Sequence, residues 1–375
     1  MSGIYIHIPF CKQACYYCNF HFSTQLKTMD EMVNTICHEI ELRYSYLAET
    51  ELQSIYFGGG TPSLLSNAHL SQIFETIKKY FTLTKGAEIT LEANPDDLTE
   101  EKLLDLKQTP INRLSIGVQS FFDADLKWMN RAHNANQAQQ AITFAKQIGF
   151  HNITIDLIYG TPGLTNQNWL KNIETAIGLG VNHVSSYALT VEPKTALSSF
   201  IEKGKYTKTN DEQAAEQFDI LVNTLTENGF IHYEISNFGK AGFLAVHNSN
   251  YWKGEHYLGI GPSAHSFNTK SRSWNVANNQ QYIKALQNNY CEATEEILGF
   301  NDQINEYIMT GLRTIWGCDL KYIETQFGVD QVLRIIKSAE KFIEQQLLLI
   351  ENNVLKTTSK GKFLADGLAA DLFIV

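Results

Sequence analysis

The sequence predicts an α/β protein, a partial (β/α)6 barrel followed by a small, mainly helical, winged-helix-like C-terminal domain. Three observations carry this. Strand-like and helix-like runs alternate through the first 230 residues. Five of the strand-like runs end in polar or glycine-rich text. Near the C-terminus, helical periodicity gives way to two short apolar runs around Asn352-Asn353, which reads as a hairpin.

Strands are expected at Ile4–Ile8, Ser54–Phe57, Glu88–Leu91, Arg113–Val118, Ile153–Ile158 and Val184–Leu189, each a short apolar or β-branched run. Helical patterns fill the gaps at about 28–48, 64–80, 99–107, 123–148 with a break near 131–134, and 167–179, and recur at 211–228. Six β–α units in series imply a parallel sheet, because each strand must return through a crossover helix. Six are too few for a closed eight-fold barrel, so an open barrel is preferred to a doubly wound sheet. Ile8 leads into a cysteine loop, Phe57 into Gly58-Gly59-Gly60-Thr61-Pro62, Leu91 into Glu92-Ala93-Asn94-Pro95, Val118 into Gln119 and Ile155 into Asp156. Parallel βα folds place their chemistry at such strand ends, so the five segments aim candidate ligands at one face. The core is therefore read as residues 1–230. Residues 231–300 read as a connecting region, rich in Gly, Asn, His and aromatics up to 275. Residues 301–375 read as the C-terminal domain, with its hairpin around Leu347–Lys356.

Charge and composition exclude several classes. A net charge of −10 argues against a nucleic-acid partner, which usually needs a basic face, and the last 75 residues are themselves slightly acidic. No run of about 18 apolar residues occurs, so no transmembrane segment is expected, which leaves peripheral membrane contact open. The opening MSGIYIHIPFC lacks a basic leader followed by a long apolar stretch, so no signal peptide is expected. Six cysteines in a chain of this length do not form a secreted disulfide framework. A cytoplasmic, reducing location is expected.

Cys11, Cys15 and Cys18 sit within eight residues, in the pattern Cys-x3-Cys-x2-Cys. Three thiolates on one short loop can hold three corners of an iron–sulfur cube and leave the fourth iron open. The alternatives are a zinc site, to which His21 could lend a fourth ligand, or three buried thiols.

The segment Tyr5-Ile6-His7-Ile8-Pro9-Phe10-Cys11-Lys12-Gln13-Ala14-Cys15-Tyr16-Tyr17-Cys18 resembles the opening of the radical-SAM superfamily. More narrowly it resembles the branch that holds oxygen-independent coproporphyrinogen oxidases and haem chaperones. The similarity extends through Gly58–Pro62, Glu92–Pro95, Ser115–Gln119, Asp156–Pro162 and Gly259–Ser266, and covers most of the chain. It implies that residues 1–230 are a radical-SAM core and that Cys11, Cys15 and Cys18 ligate a [4Fe–4S] cluster whose open iron binds S-adenosylmethionine. The SAM-contacting positions it implies are Tyr5, Tyr17, Gly59, Gly60, Thr61, Glu92, Gln119, Arg131, Asp156 and Ala188. In this reading the glycines let backbone approach the methionyl part of SAM, and Arg131 is placed to pair with its carboxylate. The chemistry implied is one-electron reduction of SAM, with the electron drawn from an outside reductase such as a flavodoxin or ferredoxin.

The branch contains two functions that share these motifs. One is dehydrogenation of the propionates of coproporphyrinogen III. The other is binding haem and passing it to an acceptor protein. Three features favour the second. Phe20 stands where the dehydrogenase has a further cysteine, only ten residues precede the cysteine loop, and His247-Asn248-Ser249-Asn250-Tyr251-Trp252 matches the HNxxYW text of the chaperones. His247 is the expected haem contact, with His256, Tyr257 and His265 as neighbouring competitors; His265 could instead face SAM.

Overall fold

The structure, a computed structural model, describes residues 2–374. Strand and helix alternate as β1 (Ser2–Ile8), α1 (Met29–Arg43), β2 (Glu51–Gly59), α2 (Asn67–Tyr80), β3 (Thr82–Ala93), α3 (Glu100–Lys107) and β4 (Arg113–Gln119). They continue through α4 (Asp123–Trp128), α5 (Ala135–Ile148), β5 (Asn152–Tyr159), α6 (Asn166–Gly178), β6 (His183–Ala188), α7 (Ala196–Glu202) and α8 (Asp211–Glu227). β1 to β6 lie side by side in chain order, and every adjacent pair is parallel. This is the open six-stranded barrel. Helix starts follow the local text: Ser66, Asn134 and Thr165 cap α2, α5 and α6 through their side chains.

The strands bury one face and line a cavity with the other. Ile4, Ile6 and Ile8 are at most 1% exposed and pack into the core under the helices. Tyr5, between them, points into the barrel. The same alternation puts Ile55 and Phe57 outside against Tyr56 inside, Leu91 against Glu92, and Ile155 against Asp156. A parallel sheet covered on both faces is usually apolar throughout. Here the inner row is polar and aromatic, which marks it as a binding surface.

The stretch 231–300, expected to connect, instead extends the sheet to twelve strands. β7 (Ile231–His232) and β8 (Asn237–Gly239) add antiparallel beyond β6. Helix α9 (Val246–Trp252) follows. β9 (His256–Ile260) then returns to lie parallel to β1 at the far end, and β10 (His265–Phe267), β11 (Ser271–Asn275) and, after α10 (Asn279–Gln287), β12 (Ala293–Ile297) continue outward antiparallel. These strands have two to five residues each, too short to show a period of two. β12 ends the sheet, and all five of its residues are exposed.

The added strands are tied to α1 through Glu39, which is fully buried. Its carboxylate accepts hydrogen bonds from Arg43 Nη1 (2.8 Å), Gly261 N (2.7 Å), Asn275 Nδ2 (2.7 Å) and the Tyr282 hydroxyl (2.6 Å).

The C-terminal domain has its own core, including Ile308, Leu312, Cys318, Ile323, Ile335 and Leu355. Its order is α11 (Phe300–Leu312), β13 (Cys318–Asp319), α12 (Leu320–Phe327), α13 (Val329–Glu344), β14 (Leu348–Glu351), β15 (Val354–Thr357) and α14 (Ala365–Asp371). The small sheet runs β13-β15-β14, a winged-helix arrangement. Asn352 and Asn353, with φ of 50° and 64°, make the tight hairpin turn. The domain meets the barrel where Ile315 N donates to Tyr233 O (3.0 Å) and the Arg313 guanidinium lies 5.0 Å from the Trp252 ring. Among the described residues no helix is long and apolar enough to cross a membrane.

Glu39→Gln should lower the unfolding free energy by about 3 kcal/mol, because it leaves Arg43 as a buried charge without its partner. Urea denaturation of the variant beside the parent measures this. A loss below about 1 kcal/mol would mean that the sheet extension is held by other contacts.

Candidate functional site

β1 delivers the chain into a loop that is pinned at several points. Cys11 N donates to Ser23 O (3.0 Å), Ser23 N to Pro9 O (2.9 Å) and Tyr16 N to Met129 O (3.1 Å). Gln13 Nε2 donates to Asn130 O (2.8 Å), and Asn130 Nδ2 to Ala14 O (2.7 Å). The loop thus presents Cys11, Cys15 and Cys18, all free thiols, to the mouth of the barrel. Thr61 Oγ1 donates to Cys11 Sγ, and Arg131 Nη1 to Cys15 Sγ, each at 3.3 Å.

Below this loop lies a cavity of about 520 Å³, within the usual range for small-molecule sites. The structure brings the residues expected to hold the cluster and SAM, together with the expected haem contact, to its wall: the three cysteines, Tyr5, Tyr17, Gly59, Gly60, Thr61, Glu92, Gln119, Arg131, Asp156, Ala188 and His247. Arg131 comes from the break between α4 and α5. Asn130 turns the chain there with φ of 58°. Arg131 Nη2 donates to Asn94 Oδ1 (2.6 Å) and Gly117 O (2.8 Å), while its buried Nε has no hydrogen-bond partner. Tyr5 donates to His7 Nδ1 (3.2 Å), and His7 Nε2 donates to His21 O (2.8 Å), so one chain of bonds fixes the tyrosine against the cluster loop. Glu92 accepts from the Tyr56 hydroxyl (2.7 Å) and from Gly59 N (3.1 Å). Burial raises its carboxyl to about 7 despite those bonds. Burial, reinforced by the Glu92 charge, raises Asp156 to about 7 as well. A ligand carrying positive charge would return both to ordinary carboxylates.

The glycine loop also packs against the base of the cysteine loop. A Cβ on Gly60 would lie 2.6 Å from Phe10 O and 2.8 Å from Ile8 O. Gly60 N also donates to Ile8 O (2.9 Å), and Thr61 N to Phe10 O (2.7 Å). A Cβ on Gly59, whose φ is 102°, would meet the His7 ring at 2.5 Å. The close approach that demands glycine is therefore to the base of the cysteine loop, in addition to any approach to a ligand.

The cavity floor was not legible beforehand. Helix α9 closes it from below. Glu88 accepts from Val246 N and His247 N, both at 2.9 Å, and its Oε2 lies 3.6 Å from Arg113 Nε. Arg113 also bonds Thr154 Oγ1, which lies 3.0 Å from His183 Nδ1. Two opposite charges opening consecutive, otherwise apolar strands (Glu88 and Arg113) were the available signal. His247 sits on this floor, 4% exposed, with Nδ1 2.8 Å from Ser54 Oγ and Nε2 without a partner. The rings of Tyr56, Tyr251 and Tyr5 surround it at 5.1, 5.2 and 6.5 Å. Burial pushes its imidazole down to about 3, so it is neutral.

The competitors lie elsewhere. His265 is exposed and stacks on Trp274 at 5.8 Å outside the cavity, so it does not face the expected SAM pocket. His256 and Tyr257 also lie off the cavity wall. Phe20 is 69% exposed at the cavity mouth.

A six-stranded open barrel with three thiols on the loop after β1 defines a radical-SAM protein. Residues 5–184 match the Radical SAM superfamily, and residues 301–364 match the HemN C-terminal domain. The protein named Heme chaperone HemW in Bacillus subtilis (strain 168) is 34% identical, over 98% of this chain and 97% of its own length. The one so named in Mycobacterium tuberculosis (strain ATCC 25618 / H37Rv) is 32% identical over 99% and 94%. The chain belongs to the HemW family. In fold it also matches the radical-SAM coproporphyrinogen III oxidase HemN of Escherichia coli, with a TM-score of 0.85 at 22% identity, covering 99% of this chain and 90% of that one.

The cofactors of this superfamily are a [4Fe–4S] cluster and S-adenosylmethionine, and the residues present fit both. Burial raises Cys11 to about 11 and Cys18 above its ordinary value, and a bound iron centre would supply the charge that ionises these two thiols. His21, which could lend a zinc site its fourth ligand, engages Asn279 Oδ1 through Nε2 at 2.7 Å. The remaining cysteines lie off the cavity wall. When bound and reduced, the cluster supplies the electron that cleaves SAM. The chain's own part is to hold the loop and to set Arg131 beside Cys15.

Gly60→Ala should displace the cysteine loop and lower the iron bound per chain on anaerobic reconstitution, while Cys37→Ala leaves it unchanged. Iron analysis with the visible absorption band reads this, and full iron content in Gly60→Ala would refute the packing role.

A pH effect follows from the two raised carboxyls. Their folded values lie above those of the unfolded chain, so their contribution is present at low pH and is lost as pH rises through about 7. Ligand-free Glu92→Gln should therefore gain stability relative to the parent between pH 5 and pH 8. The buried histidines titrate in the opposite sense and cancel in this difference. A pH-independent difference in melting temperature would contradict the raised carboxyl.

Proposed function

We propose that the protein is a haem chaperone, which binds haem in the barrel and passes it to an acceptor protein. Membership of the HemW family supports this reading, and one observation on this chain supports the site. The imidazole of His247 is neutral and held by Ser54, and its Nε2 is left free. With Nδ1–H donating to Ser54 Oγ, Nε2 keeps its lone pair for iron, an arrangement usual for metal-ligating histidine. The surrounding tyrosines offer flat apolar contact to a porphyrin. Nε2 is itself buried, so iron reaches it only after surrounding side chains move.

The SAM-binding role of Tyr5, Tyr17, Gly59, Gly60, Thr61, Glu92, Gln119, Arg131, Asp156 and Ala188 belongs to the same proposal, as does ligation of the cluster by Cys11, Cys15 and Cys18. Their common place on the cavity wall supports it. The electron donor is read as a flavodoxin or ferredoxin. A cytoplasmic setting fits the six free cysteines.

Anaerobically reconstituted protein, given haem, should bind about one haem per chain. His247→Ala should shift the Soret band and speed haem loss, and Ser54→Ala should weaken binding about tenfold, as loss of an orienting partner does at metal sites. Unchanged spectra and off-rates in His247→Ala would remove it from the site. Decarboxylation of coproporphyrinogen III in the presence of SAM and reductant, without haem uptake, would establish the dehydrogenase reading instead.

A further inference from the structure

The chain is strongly acidic, with a net charge of −10, yet the segment packed against the cysteine loop is basic. Between Lys194 and Lys208 it holds four lysines (Lys194, Lys203, Lys205 and Lys208) against one acid, Glu202. All four lysines are exposed, and none forms an ion pair among the described residues. The segment is fixed to the cluster loop. Leu197 N donates to the carbonyl of Tyr16 at 2.8 Å, and Tyr16 lies in sequence between Cys15 and Cys18. The Tyr16 ring packs edge-on against Phe200 at 5.0 Å and against Tyr206 at 6.2 Å, and Tyr206 stacks on Trp128 at 5.0 Å. Lys203 and Lys205 flank this aromatic group in sequence, and Lys205 Nζ lies 5.8 Å from the Phe200 ring. A segment carrying four lysines is thus anchored to the loop between Cys15 and Cys18, in a molecule of net negative charge.

We propose that the surface formed by Lys194, Lys203, Lys205 and Lys208 is the docking face for the electron donor, and that this donor is a small acidic one-electron carrier protein. The proposal rests on the cluster assignment made above. Charge complementarity selects the partner: unpaired lysines on an acidic chain draw an acidic protein to this face and orient it there. The transfer itself is a single electron. It leaves the carrier's reduced flavin or iron–sulfur centre, which is oxidised by one equivalent, and reduces the cluster by one. No proton or group moves with it. The aromatic group under the lysines keeps the carrier's approach dry and close to the Cys15–Cys18 side of the loop.

The test combines Lys203→Glu, Lys205→Glu and Lys208→Glu in one variant and the three lysine-to-arginine changes in another. Binding of a flavodoxin to cluster-free protein is measured by calorimetry at low salt. Cluster reduction is then followed by the loss of visible absorption, with photoreduced flavodoxin and, separately, with photoreduced 5-deazaflavin, a reductant that needs no docking face. The proposal expects the glutamate variant to bind flavodoxin at least about tenfold more weakly, to be reduced by it correspondingly more slowly, and to lose the salt dependence of the parent. The deazaflavin rate should be unchanged, and the arginine variant should match the parent. Equal flavodoxin binding and rates in parent and glutamate variant would overturn the docking face. So would an equal slowing with both reductants, which would show a disturbed cluster loop. Haem uptake on the same samples should not respond to these substitutions. Its absence in the parent would strike the haem reading and leave the docking result standing.

Discussion

One buried carboxylate, Glu88, holds the lower end of the barrel together. It stands near the start of the apolar part of β3, receives the first two amides of α9, and lies against the guanidinium of Arg113 on β4. A carboxylate at a helix N-terminus is favourable in itself, and a buried one beside arginine is costly to leave unpaired. The consequence spreads through α9, a helix of only seven residues. Its first turn carries His247 to Ser54, and its last residue, Trp252, meets Arg313 of the C-terminal domain. Cavity depth, imidazole orientation and one contact of the second domain therefore hang from the same ion pair.

The upper half of the cavity is governed by a different balance. Asp156 lies in the field of Glu92, both of them buried, and Arg131 donates to Cys15. The interior is therefore short of positive charge at the acids and of negative charge at the loop. On the proposed reading, a sulfonium- and amine-bearing ligand would correct the first deficit, and cluster-bound thiolates beside Arg131 would correct the second.

Much of this was readable from sequence because each β–α unit advertises itself. The six strands and their helices fall within a few residues of the periodic runs, and the Asn352-Asn353 turn marks the C-terminal hairpin. Residues at strand ends were legible because parallel strands with short loops leave them nowhere else to point. Glu88, Arg113, Ser54 and His183 were not legible. Each occupies an inward position within a strand, where one polar residue among apolar ones looks like an ordinary half-exposed strand. Strands β7 to β12 were missed because sheet addition at an edge depends on backbone pairing, which two to five residues of mixed text do not announce. Gly60 was recognised as special for only part of the reason, since the carbonyls of Ile8 and Phe10 come from a distant part of the chain.

The two ends of the long sheet are treated differently. Just beyond β7, backbone groups of Tyr233 and Glu234 bond to the C-terminal domain. β12 has no such cover, and its sequence is Ala293-Thr294-Glu295-Glu296-Ile297. An uncovered edge invites a second strand to zip onto it. If two copies met edge to edge here, Glu295 and Glu296 of each would come close to their counterparts, an arrangement that repels. Charge thus opposes the pairing of two copies along the bare edge of the sheet.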